Sequence, residues 1–182
     1  MSHSHKYIRH ISTAAALLLL TAFAPANWQL NRSSVTFKIK NAGLTVNGSL
    51  GGTLADIRFD PATPAQSSIV ASLETATIET GIGLRDKHLR KELYFHSDKY
   101  PQITVRSTEI EKTGTQTYLG YFDLTIKGTT KNIQVPFTFA ENASGGDFKG
   151  AFKINRLDYK VGESSWLMDN EIVVSIQLNV NR

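Results

Sequence analysis

The densest group of side chains that could carry out chemistry lies between Thr80 and Pro101. It contains His88 and Glu92, which would lie one turn apart on the same side of a helix, and His96 follows four residues later. Imidazole and carboxylate groups are common ligands of divalent metals. The intervals between these residues match no established metal motif. A metal-assisted enzyme that uses His88, Glu92 and His96 is therefore an alternative hypothesis and not the preferred one.

Arg85 and Asp86 precede His88 at the start of the same segment. An adjacent Arg-Asp pair that opens a helix commonly ties that helix to nearby backbone through charge-assisted hydrogen bonds. We therefore interpret Arg85, Asp86 and His88 as a structural polar motif that fixes a short helix near one end of the fold. The chain has no cysteine, no G-x-S-x-G nucleophile motif and no phosphate-binding glycine loop. These features predict a protein that is not an enzyme and has no catalytic residue, metal or cofactor.

Most of the chain after residue 27 alternates between apolar and polar side chains, which is typical of β-strands with one buried face. The clearest alternation runs from Glu171 to Val180. Turn-forming residues separate the alternating segments at short intervals, as they do in antiparallel hairpins. The pattern predicts eight strands, around residues 34–40, 44–59, 69–73, 103–111, 116–127, 133–139, 147–155 and 171–180.

A helical pattern is confined to one segment, from about Leu84 to Leu93, where Ile82, Leu89 and Leu93 form an apolar stripe. A helix of this length cannot cover a whole sheet, so the strands must bury their apolar faces against one another. The predicted fold class is all-β, with antiparallel strands in a closed barrel or a sandwich and one short helix near residues 84–93.

The inward-facing positions of the predicted strands carry a large apolar set. In a barrel of about eight strands, such residues either fill the interior or surround one small ligand, and periodicity alone does not distinguish the two. The residues that would line a ligand site are Phe37, Ile39, Leu73, Phe122, Leu124, Val135, Phe137, Phe139, Phe152, Val174 and Ile176.

Residues 1–26 have the pattern of an export signal. Lys6 and Arg9 precede an apolar run from Ile11 to Phe23, and small residues follow. Cleavage after Ala26 would leave a single domain of residues 27–182. We expect a protein exported to the periplasm or the extracellular space.

Charge and hydropathy exclude two classes of partner. The chain has 20 Lys and Arg against 16 Asp and Glu, and removal of residues 1–26 leaves 18 against 16, with the two signs interspersed. This balance does not favour nucleic-acid binding. The longest apolar run is shorter than the roughly 20 residues that span a bilayer, so we expect no integral membrane segment and only transient membrane contact.

Several motifs together resemble the YceI-like family, the lipocalin-like polyisoprenoid-binding proteins that bacteria export. The Arg-Asp-x-His-Leu stretch at 85–89 with the Tyr-Pro pair at 100–101 is the most specific combination. The other matches are Trp28, Ser34 with Val35 and Phe37, Val46-x-Gly48, Thr80-Gly81, the segment Leu124 to Lys131, and Arg156-x-Asp158-Tyr159.

The resemblance implies a single antiparallel, lipocalin-like barrel of about eight strands whose pore binds, carries or sequesters a long-chain amphiphile without catalysis. That ligand would be a polyisoprenoid, an isoprenoid quinone or a fatty-acid-like lipid. His96 and Asn155 depart from the residues usual in the family, which leaves head-group recognition open. A β domain that acts only through contacts with other proteins remains an alternative, and a homodimer is compatible with either function.

Overall fold

A computed structural model describes residues 26–182; the predicted signal peptide, apart from Ala26, lies outside them. Within that range the chain forms nine β-strands, one α-helix and three short 3-10 helices. The strands are β1 (Asn27–Asn41), β2 (Leu44–Leu50), β3 (Leu54–Arg58), β4 (Ser68–Glu74), β5 (Gln102–Lys112), β6 (Thr117–Ile126), β7 (Thr129–Asn142), β8 (Gly145–Asn155) and β9 (Glu171–Asn181). The helix α1 is Gly83–Leu89, and the 3-10 helices are Pro64–Gln66, Thr75–Thr77 and Arg156–Tyr159.

The strands form one antiparallel sheet that closes into a barrel. Neighbours in sequence pair with each other from β3 to β9, and β9 also pairs with β1, from Gln29 opposite Asn181 to Lys38 opposite Val173. β2 and β3 both pair with β1, one after the other along its length, so together they occupy one strand position. The barrel therefore has eight strand positions, and the predicted antiparallel, eight-stranded barrel is confirmed.

The predicted strand at 44–59 is interrupted at residues 51–53. Gly52 adopts a φ of +63°, and a Cβ atom there would lie 2.5 Å from Cγ of Glu74. A positive φ and this close approach both favour glycine. The inward-facing residues change from even positions, Val46 and Leu50, to odd positions, Thr53 and Ile57, across this break.

The strand directions divide the connections between two ends of the barrel. We call the end that carries residues 42–43, 75–101, 127–128 and 156–170 the helix end, because α1 lies there. We call the opposite end, with residues 59–67, 113–116 and 143–144, the aromatic end.

A buried cluster of rings fills the aromatic end. Phe59 is fully buried, and its ring lies 5.1 to 5.3 Å from those of Tyr118, Phe139 and Phe148 in edge-to-face arrangements. Trp28 packs against the same cluster, and its Nε1 donates a hydrogen bond of 2.8 Å to the carbonyl oxygen of Phe59. Because aromatic pairs of this geometry pack densely, this end of the barrel is solid.

The helix end is built differently. α1 ends at Leu89, four residues before the predicted end, and successive tight turns follow up to His96, which has a φ of +50°. Of the predicted apolar stripe, only Leu89 faces the barrel interior, whereas Ile82 and Leu93 are exposed. The helix α1 therefore covers only part of the helix end of the barrel. Among the described residues, no helix is long and apolar enough to cross a membrane.

Candidate functional site

An apolar cavity of about 240 Å³ lies between the aromatic cluster and the helix end. Each of the nine strands contributes side chains to its wall, and almost all of the wall is apolar. Phe137 and Phe148 belong both to the wall and to the aromatic cluster, so they form the floor of the cavity. Barrel strands deliver an apolar side chain to the interior at every second residue, which explains why the wall is continuous.

Ten of the eleven residues that the sequence suggested for a ligand site lie on this wall. They are Phe37, Ile39, Leu73, Phe122, Leu124, Val135, Phe137, Phe152, Val174 and Ile176. Phe139 lies instead in the aromatic cluster, with its ring 4.4 Å from that of Phe148 and 5.2 Å from that of Trp28. Alternation places Phe139 correctly on the inner face, but this residue lies two positions beyond the floor, in the solid end.

The exposure of β9 shows where the interior changes from filled to hollow. Val180 is 0% exposed at the aromatic end. The preceding residues of the same inner face, Leu178, Ile176 and Val174, line the cavity and are only half-buried. These aliphatic side chains therefore face open space although they point into the barrel.

The cavity wall has a weakly closed side next to β2. One edge of β2 pairs with β1, and among residues 26–182 its other edge makes a single bridge, between Ser49 and Glu79. A shallow depression lined by Phe37, Gly48 and Thr80 lies there, and Phe37 and Thr80 also line the main cavity. A Cβ on Gly48 would lie 2.2 Å from Cζ of Phe37, so Gly48 leaves the room that this ring occupies.

Arg85 and Asp86 form a hydrogen-bonded network with Thr80. Asp86 is buried and accepts hydrogen bonds from the backbone and the hydroxyl of Thr80, the first at 2.9 Å. Arg85 donates from Nε to Thr80 Oγ1 and from Nη2 to the Thr80 carbonyl, both at 2.7 Å. The pair therefore anchors the start of α1 to the segment before it. His88 is exposed and takes no part in these bonds, so its predicted anchoring role is not seen.

The residues of the alternative metal site do not converge. Within residues 26–182 no three His, Asp or Glu side chains lie close enough together to hold a metal ion. His88 and Glu92 are exposed, while the half-buried His96 packs its ring edge-on at 5.9 Å from that of Tyr100. This geometry gives the metal-assisted hypothesis no support.

Arg156 is a cavity residue that the sequence analysis did not single out as part of a site. It is 2% exposed, and burial lowers the pKa of its guanidinium. Its Nη1 donates to the Val161 carbonyl at 2.9 Å, and its Nη2 donates to the Glu163 carbonyl at 2.8 Å and to Asn170 Oδ1 at 3.0 Å. A single arginine in a connection between strands is usually exposed. In the sequence, only its place in the Arg156-x-Asp158-Tyr159 motif distinguished Arg156 from such a surface residue.

These bonds fix the segment 156–170 across the helix end. Nε of Arg156 adds a fourth bond, of 3.0 Å, to the Asp169 carbonyl. In the described part of the chain the ion pairs are Arg58 with Asp56, Lys153 with Glu171, and Arg182 with Glu141. Arg156 thus places a buried positive charge, bonded to neutral oxygens, on a wall that is almost entirely apolar. Its neighbour Tyr159 is also buried; among residues 26–182 its hydroxyl has no hydrogen-bond partner, and burial raises the pKa of this hydroxyl to about 12.

Comparisons with known proteins agree with this architecture. A family model described as the YceI-like domain matches residues 27–180. A UPF0312 protein of Photorhabdus laumondii is 28% identical, over 91% of this chain and 93% of its own length. The crystal structure of BcnA from Burkholderia cenocepacia superposes with a TM-score of 0.78 at 28% identity, covering 82% of this chain and 96% of BcnA.

A more distant structure shares the fold. A domain from Saccharophagus degradans, described as a polyisoprenoid-binding domain implicated in plant cell wall breakdown, has a TM-score of 0.66 at 12% identity. The likeness covers 85% of this chain and 97% of that domain. The family model and the full-length relatives confirm the resemblance found in the motifs. The chain belongs to the YceI-like family.

Proposed function

We propose that this protein binds a long-chain amphiphile inside its barrel and carries or sequesters it without catalysing a reaction. The chemical class is a polyisoprenoid, an isoprenoid quinone or a fatty-acid-like lipid. The pattern of residues 1–26 supports a place of action outside the cytoplasm, in the periplasm or the extracellular space.

The observation that carries this proposal is the hollow, apolar half of the barrel. Cavities left in protein cores destabilise by about 24 cal/mol per Å³, so an empty cavity of about 240 Å³ would cost on the order of 6 kcal/mol. A chain of CH₂ or isoprenoid groups would restore the missing contacts, with about 0.8 kcal/mol gained for each buried CH₂. A wall with so few polar atoms suits a hydrocarbon chain better than a polar substrate.

The distribution of polar side chains favours one orientation of the ligand. The floor of the cavity is aromatic, whereas Asn41, Thr80, Arg85 and Arg156 line it at the helix end. We therefore expect the hydrocarbon chain to point towards Phe137 and the polar group of the amphiphile to lie near the arginines. The polyisoprenoid-binding description of the Saccharophagus domain supports the chemical class, on the basis of a shared fold.

A pair of neighbouring substitutions on β9 tests the proposal. Val174 lies on the cavity wall, and the adjacent Ser175 belongs to the opposite face of the strand. Val174→Phe would fill part of the cavity, and Ser175→Phe adds the same ring outside it. The purified protein is freed of lipid, and uptake of a polyprenol and of a long-chain fatty acid is measured by native mass spectrometry and by titration.

We expect Ser175→Phe to bind like the unchanged chain and Val174→Phe to lose binding at least tenfold while it retains the circular dichroism spectrum of a folded barrel. Equal binding by both variants would place the ligand elsewhere and overturn the proposal. If Val174→Phe fails to fold, Ala71→Leu, at another position on the cavity wall, provides the same test.

A further inference from the structure

Large apolar side chains are exposed mainly at one end of the molecule. In the described range the exposed ones are Leu44, Leu54, Ile82, Leu84, Leu93, Trp166 and Leu167. All except Leu54 lie at the helix end, on or directly beside its connections. We call these six residues the apolar rim. Single exposed apolar residues are normal on a protein surface, but six around one end of a barrel are a pattern.

Backbone hydrogen bonds join the connections that carry the rim. The amide of Ala42, next to Leu44 in the β1–β2 turn, donates to the carbonyl of Leu167 at 2.7 Å. The amide of Gly162 donates to the carbonyl of Leu93 at 2.8 Å. Main-chain hydrogen bonds therefore join the three connections that carry rim residues.

The rim also adjoins the cavity. Ile82 and Leu84 flank the first residue of α1, and Leu89 of the same helix lines the cavity wall. Met168, directly after Leu167, lines the wall as well. The exposed apolar surface is thus continuous in sequence with the lining of the lipid site, at the end where that site approaches solvent.

We propose that the apolar rim inserts into the interfacial region of a lipid bilayer, so that the cavity faces the membrane from which its ligand comes or to which it goes. This inference rests on the proposed function, because a water-insoluble ligand must exchange with a bilayer. Trp166, 92% exposed, has the ring that favours the membrane interface, with an apolar body and a polar N–H.

Apolar contact is the driving force in this proposal. Four exposed lysines lie on the rim connections, Lys87, Lys91, Lys99 and Lys160, but so do six exposed acids, Glu79, Glu92, Asp98, Asp158, Glu163 and Asp169. These charges do not favour anionic lipid, so binding should not require it. A protein partner would instead be expected to need one continuous face, and the rim consists of separate side chains on several turns.

The two tryptophans of the chain give a direct readout. Trp28 is 2% exposed in the aromatic cluster, whereas Trp166 belongs to the rim. Vesicles of phosphatidylcholine, with and without phosphatidylglycerol, are added to the protein while tryptophan emission is recorded, and lipids brominated along their chains test for quenching. We expect the emission of Trp166 to shift to the blue and to be quenched by brominated lipids, and Trp166→Phe to lose both responses.

Leu84→Ser and the control Leu54→Ser separate the rim from the rest of the surface. Leu54 is 66% exposed, like Leu84 at 67%, but it lies on β3, away from the helix end. Loss of one inserted leucine should weaken vesicle partitioning roughly tenfold for Leu84→Ser and leave it unchanged for Leu54→Ser.

An absent Trp166 response with both vesicle types would overturn the membrane proposal, and so would equal losses in the two serine variants. Self-association that covers Trp166 in analytical ultracentrifugation, without vesicle binding, would assign the rim to a second copy of the chain. Lipid uptake by the same proteins from detergent solution is measured in parallel. If the protein takes up lipid but does not bind vesicles, only the membrane proposal is refuted. If it takes up no lipid, the proposed function is refuted.

Discussion

The two halves of the barrel are made from the same alternating strands but differ in what their inner faces do. At the aromatic end, the rings of Phe59 and its neighbours fill the barrel interior and exclude solvent, so these side chains are buried. Towards the helix end, branched aliphatic residues such as Val174 and Ile176 face open space and stay half-buried. The same alternation of side chains therefore gives a filled core at one end of the barrel and a hollow cavity towards the other.

The largest expected difference between the halves is in stability. Phe59→Ala removes a fully buried ring from the aromatic cluster and should lower the free energy of unfolding by about 3–5 kcal/mol. Val174→Ala removes two methyl groups that already face a cavity, so its effect should be about 1 kcal/mol. Urea denaturation of the lipid-free proteins measures both. Similar losses from the two substitutions would contradict a solid and a hollow half.

The second prediction concerns the segment that Arg156 holds over the helix end. Arg156→Met keeps most of the side-chain length but removes four hydrogen bonds to residues 161–170 and leaves the buried carbonyl of Val161 without this donor. We expect a loss of about 2–3 kcal/mol and faster proteolytic cleavage within 160–170. Arg156→Lys restores the charge without the planar set of donors and should recover only part of the stability. Full recovery with lysine would show that charge alone matters.

A smaller effect is expected at the wall beside β2. Gly48→Ala places a Cβ against the ring of Phe37 and should destabilise the barrel by about 1–3 kcal/mol. The displaced ring would also reduce the cavity, so ligand uptake should fall. Gly83→Ala is the matched control, because a Cβ there meets no atom within 4 Å. Equal stability of the two variants in thermal denaturation would show that Phe37 moves freely.

The smallest effect should come from the unpaired hydroxyl of Tyr159. Tyr159→Phe removes a buried oxygen that has no partner, so stability at neutral pH should be unchanged or slightly higher. Burial raises the Tyr159 pKa from 10 to about 12, so the folded state disfavours the phenolate. The stability associated with the neutral phenol is complete below pH 10 and is lost as the pH rises towards 12. Denaturation series from pH 8 to 12 should show a shallower decline for Tyr159→Phe than for the unchanged chain.

The strands were predictable because a strand with one buried face alternates between apolar and polar side chains. The same alternation identified ten residues of the cavity wall. Depth along the barrel was not predictable, which is why Phe139 was expected at the ligand site and lies in the solid end. The helix was expected to reach Leu93, since its stripe looks buried in sequence, but that residue belongs to an exposed rim. The hydrogen bonds of Arg156 depend on tertiary contacts that leave no periodic signal.

The most direct test of whether the hollow half holds a lipid is native mass spectrometry of the protein purified without detergent from the cells that produce it. We expect one equivalent of a long-chain amphiphile per folded chain. Organic extraction should release it, and lipid analysis should recover it as a defined mass. The hollow half of the barrel does not hold a lipid if the purified protein carries no such ligand and takes up neither a polyprenol nor a long-chain fatty acid.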